Sequence, residues 1–167
     1  MTATAEEAAE TLQMRIHGNV ESPVLIYLPG LHGDWTLATS FRNEISHSVR
    51  YVEFTYPRSL RWSLADYAAA IRTALLEAGI TEGWLLAESF GSQIAWTLAD
   101  PARPSDFRIN GIILAGGFVK HPNAPGIALV KRALATMPPQ VFQSCLKIYA
   151  KYATVRHRQA PETLAAI

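Results

Sequence analysis

The sequence predicts an α/β protein with a mostly parallel central sheet and helices on both faces. Short apolar runs rich in β-formers alternate with segments of helical periodicity. The runs are apolar at nearly every central position, as expected of strands covered on both sides. The segments between them, about 10–17 residues each, are long enough for the crossover helices that parallel strands need.

The elements follow in order. "TLQMRIHGNV" (11–20) reads as an antiparallel strand turning at Gly18-Asn19, and "PVLIYLPG" (23–30) as a buried strand stopped by Pro-Gly. "TLATSFRNEISHSV" (36–49) places Leu37, Phe41 and Ile45 at spacings of four, which predicts a helix with those residues on its buried stripe. "VRYVEFTYP" (49–57) is a second parallel strand closed by Pro57. "SLADYAAAIRTALLEAG" (63–79) opens with Ser63 and Asp66 in capping-box spacing and ends on a C-terminal glycine, with Leu64, Ala68, Ile71 and Leu75 as its core stripe. "GWLLAESF", "GSQIAWTLAD" and "RINGIILAGGF" then supply strand, helix and strand. The composition shifts after Phe118, and the rest reads as basic, amphipathic helical segments broken at Pro138-Pro139.

A chain of 167 residues, 49% apolar and 17% charged, can bury a core and is not a disordered one. The net charge of +1 hides an asymmetry: residues 1–106 hold thirteen of the fourteen carboxylates, whereas residues 107–161 hold none and carry eight Lys and Arg. That stretch reads as a solvated helical face, or as a basic surface meeting an anionic or acidic partner. No nucleic-acid motif accompanies it. Cys145, the lone cysteine, excludes an internal disulfide framework and reads as a buried thiol. With no secretory signal in "MTATAEEAAE" and no apolar run long enough to span a bilayer, the expected location is cytoplasmic. The five histidines and one cysteine show no metal-ligand spacing, and no cofactor motif is visible.

The chemistry concentrates in "WLLAESFGSQIAW" (84–96), where Ser89 stands between a strand and a helix. A serine at so tight a turn is lifted above the sheet, provided the residues two before and two after it are tiny. Ala87 and Gly91 meet that demand, although Ala87 departs from the usual first glycine. The rival reading makes Ser89 a small residue capping the following helix. Serine attack on an acyl carbon puts negative charge on the carbonyl oxygen, which needs two N–H donors already in place. Phe90, just after the serine, offers one, and Leu31 in the loop "LPGLHGDW" offers the other.

"VLIYLPGLHGDW", "AESFGSQIAW" and "INGIILAGG", in this order and spacing, resemble the α/β-hydrolase superfamily over residues 14–118. Pro29-Gly30 stands where that family usually has His-Gly, so Leu31 matches the oxyanion position and His32 falls one residue beyond it. The resemblance implies a core over 1–120, part of a helical cap over 121–167, and an ester or related acyl substrate. It also implies an acid and a base on loops after later strands. After Ser89 the chain offers Asp100, Asp106, Glu162, His121 and His157. Asp100 belongs at the far end of the helix that starts beside Ser89, and Asp106 at the wrong edge of the sheet. Glu162 and His157 fall in the cap, so the acid and base are expected beyond Ile167. His32 and His121 are expected substrate contacts, and Asp34 a helix N-cap. A non-catalytic relative with a bare elbow, and a thioesterase or acyltransferase, are the alternatives.

Overall fold

The strands assemble where β-formers are densest: β1 (Gln13–His17), β2 (Val24–Leu28), β3 (Arg50–Thr55), β4 (Glu82–Glu88) and β5 (Arg108–Ala115). They form one sheet in the order β1-β3-β2-β4-β5. The β2–β3, β2–β4 and β4–β5 pairs are parallel, and β1 runs antiparallel to β3 with Gln13 opposite Thr55. β1 therefore skips its sequence neighbour β2. The computed structural model describes residues 11–57, 61–102, 106–119, 141 and 144. The chain divides into two compact units, residues 1–119 and 120–167, and the elements described here belong to the first.

Alternation along the strands feeds two cores. Ile26, Leu28, Val52, Phe54, Leu85 and Ala87 pack with helix α2 (Leu64–Glu77) and helix α3 (Gly91–Leu98) on one face. Tyr27 and Tyr51 pack with Ala38 and Ile45 on the other, where helix α1 (Thr39–Ile45) lies. Over β2 and β3 the sheet is thus covered on both sides, whereas apolar side chains of β4 and β5 (Trp84, Ile113 and Leu114) stay exposed, against the expectation of strands covered throughout.

α2 begins and ends as its sequence dictates. The Ser63 hydroxyl accepts the Asp66 N–H at 3.2 Å while the Asp66 carboxylate accepts the Ser63 N–H at 2.7 Å, a closed capping box. Gly79 has φ +70°; its N–H reaches the Leu76 carbonyl at 2.9 Å and the Ile80 N–H reaches Leu75 at 2.8 Å, a Schellman close. Ala68, Ile71 and Leu75 are buried as expected, but Leu64 sits at the solvent edge of the first turn and Tyr67 takes its place.

Two expectations need correction. Leu37 and Phe41 are 44% and 45% exposed, so the predicted stripe is not the buried one. The segment opens with a 3₁₀ turn (Thr36–Ala38) whose tighter winding rotates Leu37 off the face that Ile45 presents, and Ala38 enters the core instead. Second, β3 is not apolar throughout. Glu53 is fully buried between His17 Nε2 at 3.0 Å and Arg42 Nη1 at 3.0 Å. Removing either partner of such a buried pair costs about 3–5 kcal/mol, so this cluster pins β1 and α1 to β3.

α3 lies against β2 because residue 91 is glycine. A Cβ there would stand 2.2 Å from the Leu28 carbonyl oxygen, with nowhere for backbone to move. At Gly79 nothing lies within 4 Å, so only its left-handed conformation penalises a side chain. Gly79→Ala is therefore expected to cost about 1–2 kcal/mol in urea unfolding, and Gly91→Ala to cost clearly more. Hydrogen bonds from the Ser63 hydroxyl and then the Ser63 N–H hold the Asp66 carboxyl below its usual value. Its stabilisation is present above the unfolded range, about pH 3.9, and is lost as pH falls through the lower folded value. The stability gap between wild type and Asp66→Asn should narrow on acidification below about pH 4, read by chemical denaturation at each pH.

Candidate active site

β4 carries the chain to the C-terminal edge of the parallel strands, the edge where α/β proteins place their chemistry. There Ser89 turns it into α3 with φ +46°, the one non-glycine residue with positive φ among the described residues. A left-handed non-glycine residue costs about 1–2 kcal/mol and persists only where its surroundings over-determine it. Several contacts do so. The Ser89 N–H donates to the Ala115 carbonyl at 3.0 Å, extending the β4–β5 pairing through the turn. The Ser92 N–H returns to the Ser89 carbonyl at 3.1 Å. Ser92 is fully buried, with its hydroxyl 2.6 Å from the Ser89 carbonyl and 3.1 Å from the Phe118 carbonyl, and it accepts the Phe118 N–H at 3.1 Å. Gln93 Nε2 donates to the same Phe118 carbonyl at 2.6 Å. The turn is therefore bolted to the loop after β5.

Ser89 is exposed, and among the described residues its hydroxyl has no hydrogen-bond partner. The loop after β2 lies beside it. A side chain on Gly30 would meet the Ser89 Cβ at 3.5 Å and His32 Nδ1 at 3.3 Å, so the absence of one keeps the space between them open. The Gly33 N–H closes a turn onto the Gly30 carbonyl at 3.0 Å, and the Gly33 carbonyl accepts the Tyr56 N–H at 2.7 Å, anchoring the loop to the end of β3. Among the described residues the N–H groups of Leu31 and Phe90 bond to nothing. Leu31 is 84% exposed, so its side chain contributes little packing.

A cavity of about 310 Å³ opens here, lined by Leu31, His32, Tyr56, Trp62, Tyr67 and Phe90, with Asp34 and Thr55 also at its wall. The Phe90 ring stands edge-on to Tyr56 and Tyr67, with centroids 6.3 and 6.2 Å apart. Asp34 accepts the Thr36 N–H at 2.8 Å, two residues on, but it is not the helix N-cap that the sequence suggests: Trp35 precedes the 3₁₀ turn and Ala38 precedes α1, neither with a side-chain cap. Asp100 sits beyond the C-terminal end of α3, about 12 Å of helix rise from the elbow, and accepts the Ala102 N–H. Asp106 precedes β5, at the opposite edge of the sheet. His121, His157, Glu162 and Cys145 lie outside the described residues, as does most of the basic 107–161 stretch. Its described Arg108 pairs with Glu82.

Sequence reasoning missed three parts of this neighbourhood. The Ser92 tether looked like an ordinary helix residue. The aromatic wall comes from three separate segments, so no local pattern announces it. Glu88, next to the serine, accepts a hydrogen bond from the Tyr27 hydroxyl across β2–β4. Burial first, and then Glu88, push the Tyr27 hydroxyl far above its usual range, so it stays protonated and keeps donating. Among the described residues the His–carboxylate hydrogen bond is His17–Glu53; it lies midway along β3 rather than beside Ser89. No group of three or more His, Cys, Asp or Glu is placed to hold a metal among the described residues. No described helix is long and apolar enough to cross a membrane.

No protein-family model matches the sequence, and no curated protein matches it. Solved structures do. A hydrolase from Pseudomonas aeruginosa PA01 is similar with TM-score 0.72 and 16% identity, over 98% of this chain and 63% of that one. An alpha/beta hydrolase family protein from Desulfitobacterium hafniense follows with TM-score 0.54 and 17% identity, over 67% and 47%. A marine microorganism esterase gives TM-score 0.57 and 21% identity, over 77% and 52%. The chain spans about half to two thirds of the length of these structures. The sheet order, the crossover helices and these likenesses agree: this chain has the α/β-hydrolase fold.

Proposed function

We propose that the protein is a serine hydrolase acting on an ester or related small acyl compound, with Ser89 as nucleophile. The observation that carries this reading is the strained, left-handed Ser89 at the C-terminal edge of β4, its hydroxyl exposed and without a partner among the described residues. Strain of this kind is stored where function uses it, and a merely capping serine would have no need of it. The hydrolases and esterases among the similar structures support the same chemistry.

In the proposed reaction the Ser89 oxygen attacks the acyl carbon while its proton passes to a general base. The carbonyl π electrons move to oxygen, which the Leu31 and Phe90 N–H groups stabilise. The intermediate collapses, expelling the alcohol with that proton and leaving the acyl group on Ser89. Water then repeats the sequence and releases the acid. The base and its acidic partner come from residues other than the described ones: Asp100 lies beyond the far end of α3, and the described His–carboxylate contact, His17–Glu53, lies midway along β3. His32 contacts substrate, and His121 takes the same role from the segment after β5. The segment over 121–167 acts as part of a cap, and the basic 107–161 stretch meets an anionic or acidic surface. Transfer to an acceptor alcohol or thiol instead of water would use the same first half-reaction. A binding module with a bare elbow is the second reading, favoured by the lack of a His–carboxylate pair beside Ser89 among the described residues.

The test is covalent labelling of the full-length protein by a fluorophosphonate, mapped by peptide mass spectrometry, together with p-nitrophenyl ester hydrolysis. Label is expected on Ser89 and nowhere in Ser89→Ala, with turnover falling about 10⁴–10⁶-fold in that variant. A folded protein that takes no label at Ser89 supports the binding-module reading. Turnover that survives Ser89→Ala removes the serine from the mechanism.

A further inference from the structure

We infer that the cavity beside Ser89 is a recognition subsite for one planar aromatic ring on the acyl group of the substrate. The inference rests on the reading of Ser89 as nucleophile and adds the substrate class. At about 310 Å³ the cavity lies at the low end of ligand pockets, roughly 300–1,000 Å³, which suits a single ring on a short arm rather than a long alkyl chain.

Its wall is built from ring faces and edges. Tyr67 stands at its centre, 5.2 Å from Tyr56 and 5.2 Å from Trp62, tilted 58° and 53° to them. Phe90 closes the group edge-on to both tyrosines. Such tilted contacts are the arrangement that aromatic quadrupoles prefer, so one more ring extends the cluster in kind, whereas an alkyl chain gains only area. Phe90 also ties the subsite to the chemistry, because its ring is in the wall and its N–H is beside Ser89. A ring seated against it brings its carbonyl to the elbow.

Tyr56 is 6% exposed, and its hydroxyl oxygen, like that of Thr55, is closed off from solvent and has no hydrogen-bond partner among the described residues, so it is the body of the Tyr56 ring and not its oxygen that the cavity meets. Asp34, also at the wall, accepts the Thr36 N–H on one oxygen, and choline in the titration tests whether a cation is preferred there.

The experiment titrates the full-length protein with benzamide, hexanamide and choline, following the Trp62 indole resonance by NMR. Benzamide is expected to bind about two- to tenfold more tightly than hexanamide, the size of an edge-to-face contact. That preference should persist in Ser89→Ala and disappear in Trp62→Leu, followed there by calorimetry with the fold checked by thermal melting. Tyr56→Phe, which deletes one atom closed off from the cavity, keeps the ring preference. Equal or tighter binding of hexanamide, tighter binding of choline, or a preference unchanged in Trp62→Leu overturns the inference. If Trp62→Leu does not fold, a ring preference unchanged in Tyr67→Leu overturns it. Ring preference without Ser89 labelling sinks the nucleophile reading alone, and labelling without ring preference sinks the subsite alone.

Discussion

The approach of α3 to β2 at Gly91 is the constraint on which the rest depends. A hydrogen atom is all that fits between residue 91 and the Leu28 carbonyl oxygen. With the helix that close to the strand, the chain leaving β4 has no room for a relaxed loop. It must reverse within one residue, and Ser89 takes the left-handed conformation that such a reversal demands. Strain at Ser89 is thus a consequence of packing elsewhere, held by Ala115, Ser92 and Phe118 rather than by Ser89 itself.

That geometry has electrostatic consequences. A serine side chain raised above the strand ends projects from the positive end of α3, where the first N–H groups have no helical acceptors. The same tight packing brings the Gly30 loop alongside, so that a Cβ on Gly30 would stand 3.5 Å from the Ser89 Cβ. In the proposed reaction an oxyanion developing there gains from the positive end of α3. The Glu88 carboxylate points to the other sheet face, where it accepts the Tyr27 hydroxyl.

The two faces of the sheet are built differently. The face under α2 and α3 is apolar and closes beneath the elbow, which keeps the strained turn rigid. The opposite face mixes stacked tyrosines with the His17–Glu53–Arg42 cluster, a polar lock that fixes the position of β1. A buried ion pair of this kind adds little net stability over a well-packed apolar substitute. Its strength lies in direction, since only one register of β1 against β3 brings His17 over Glu53.

The fold and the position of Ser89 at a strand-to-helix turn were legible in the sequence because both are local. Periodicity marks each strand and helix, Ser63 and Asp66 announce one cap and Gly79 the other, and Ala87, Ser89 and Gly91 lie within five residues. Where local winding changed, as at the 3₁₀ turn over Thr36–Ala38, the same periodicity misplaced Leu37 and Phe41. The likeness to solved hydrolases was likewise readable from three short motifs and their order. Tertiary structure alone decided the rest. That β1 pairs with β3 and not with β2, that Glu53 is buried, and that Tyr56, Trp62, Tyr67 and Phe90 form one wall all depend on contacts between distant segments. No periodicity encodes such contacts. A buried glutamate and an exposed one look alike in a strand pattern, and only the positions of His17 and Arg42 in space distinguish them.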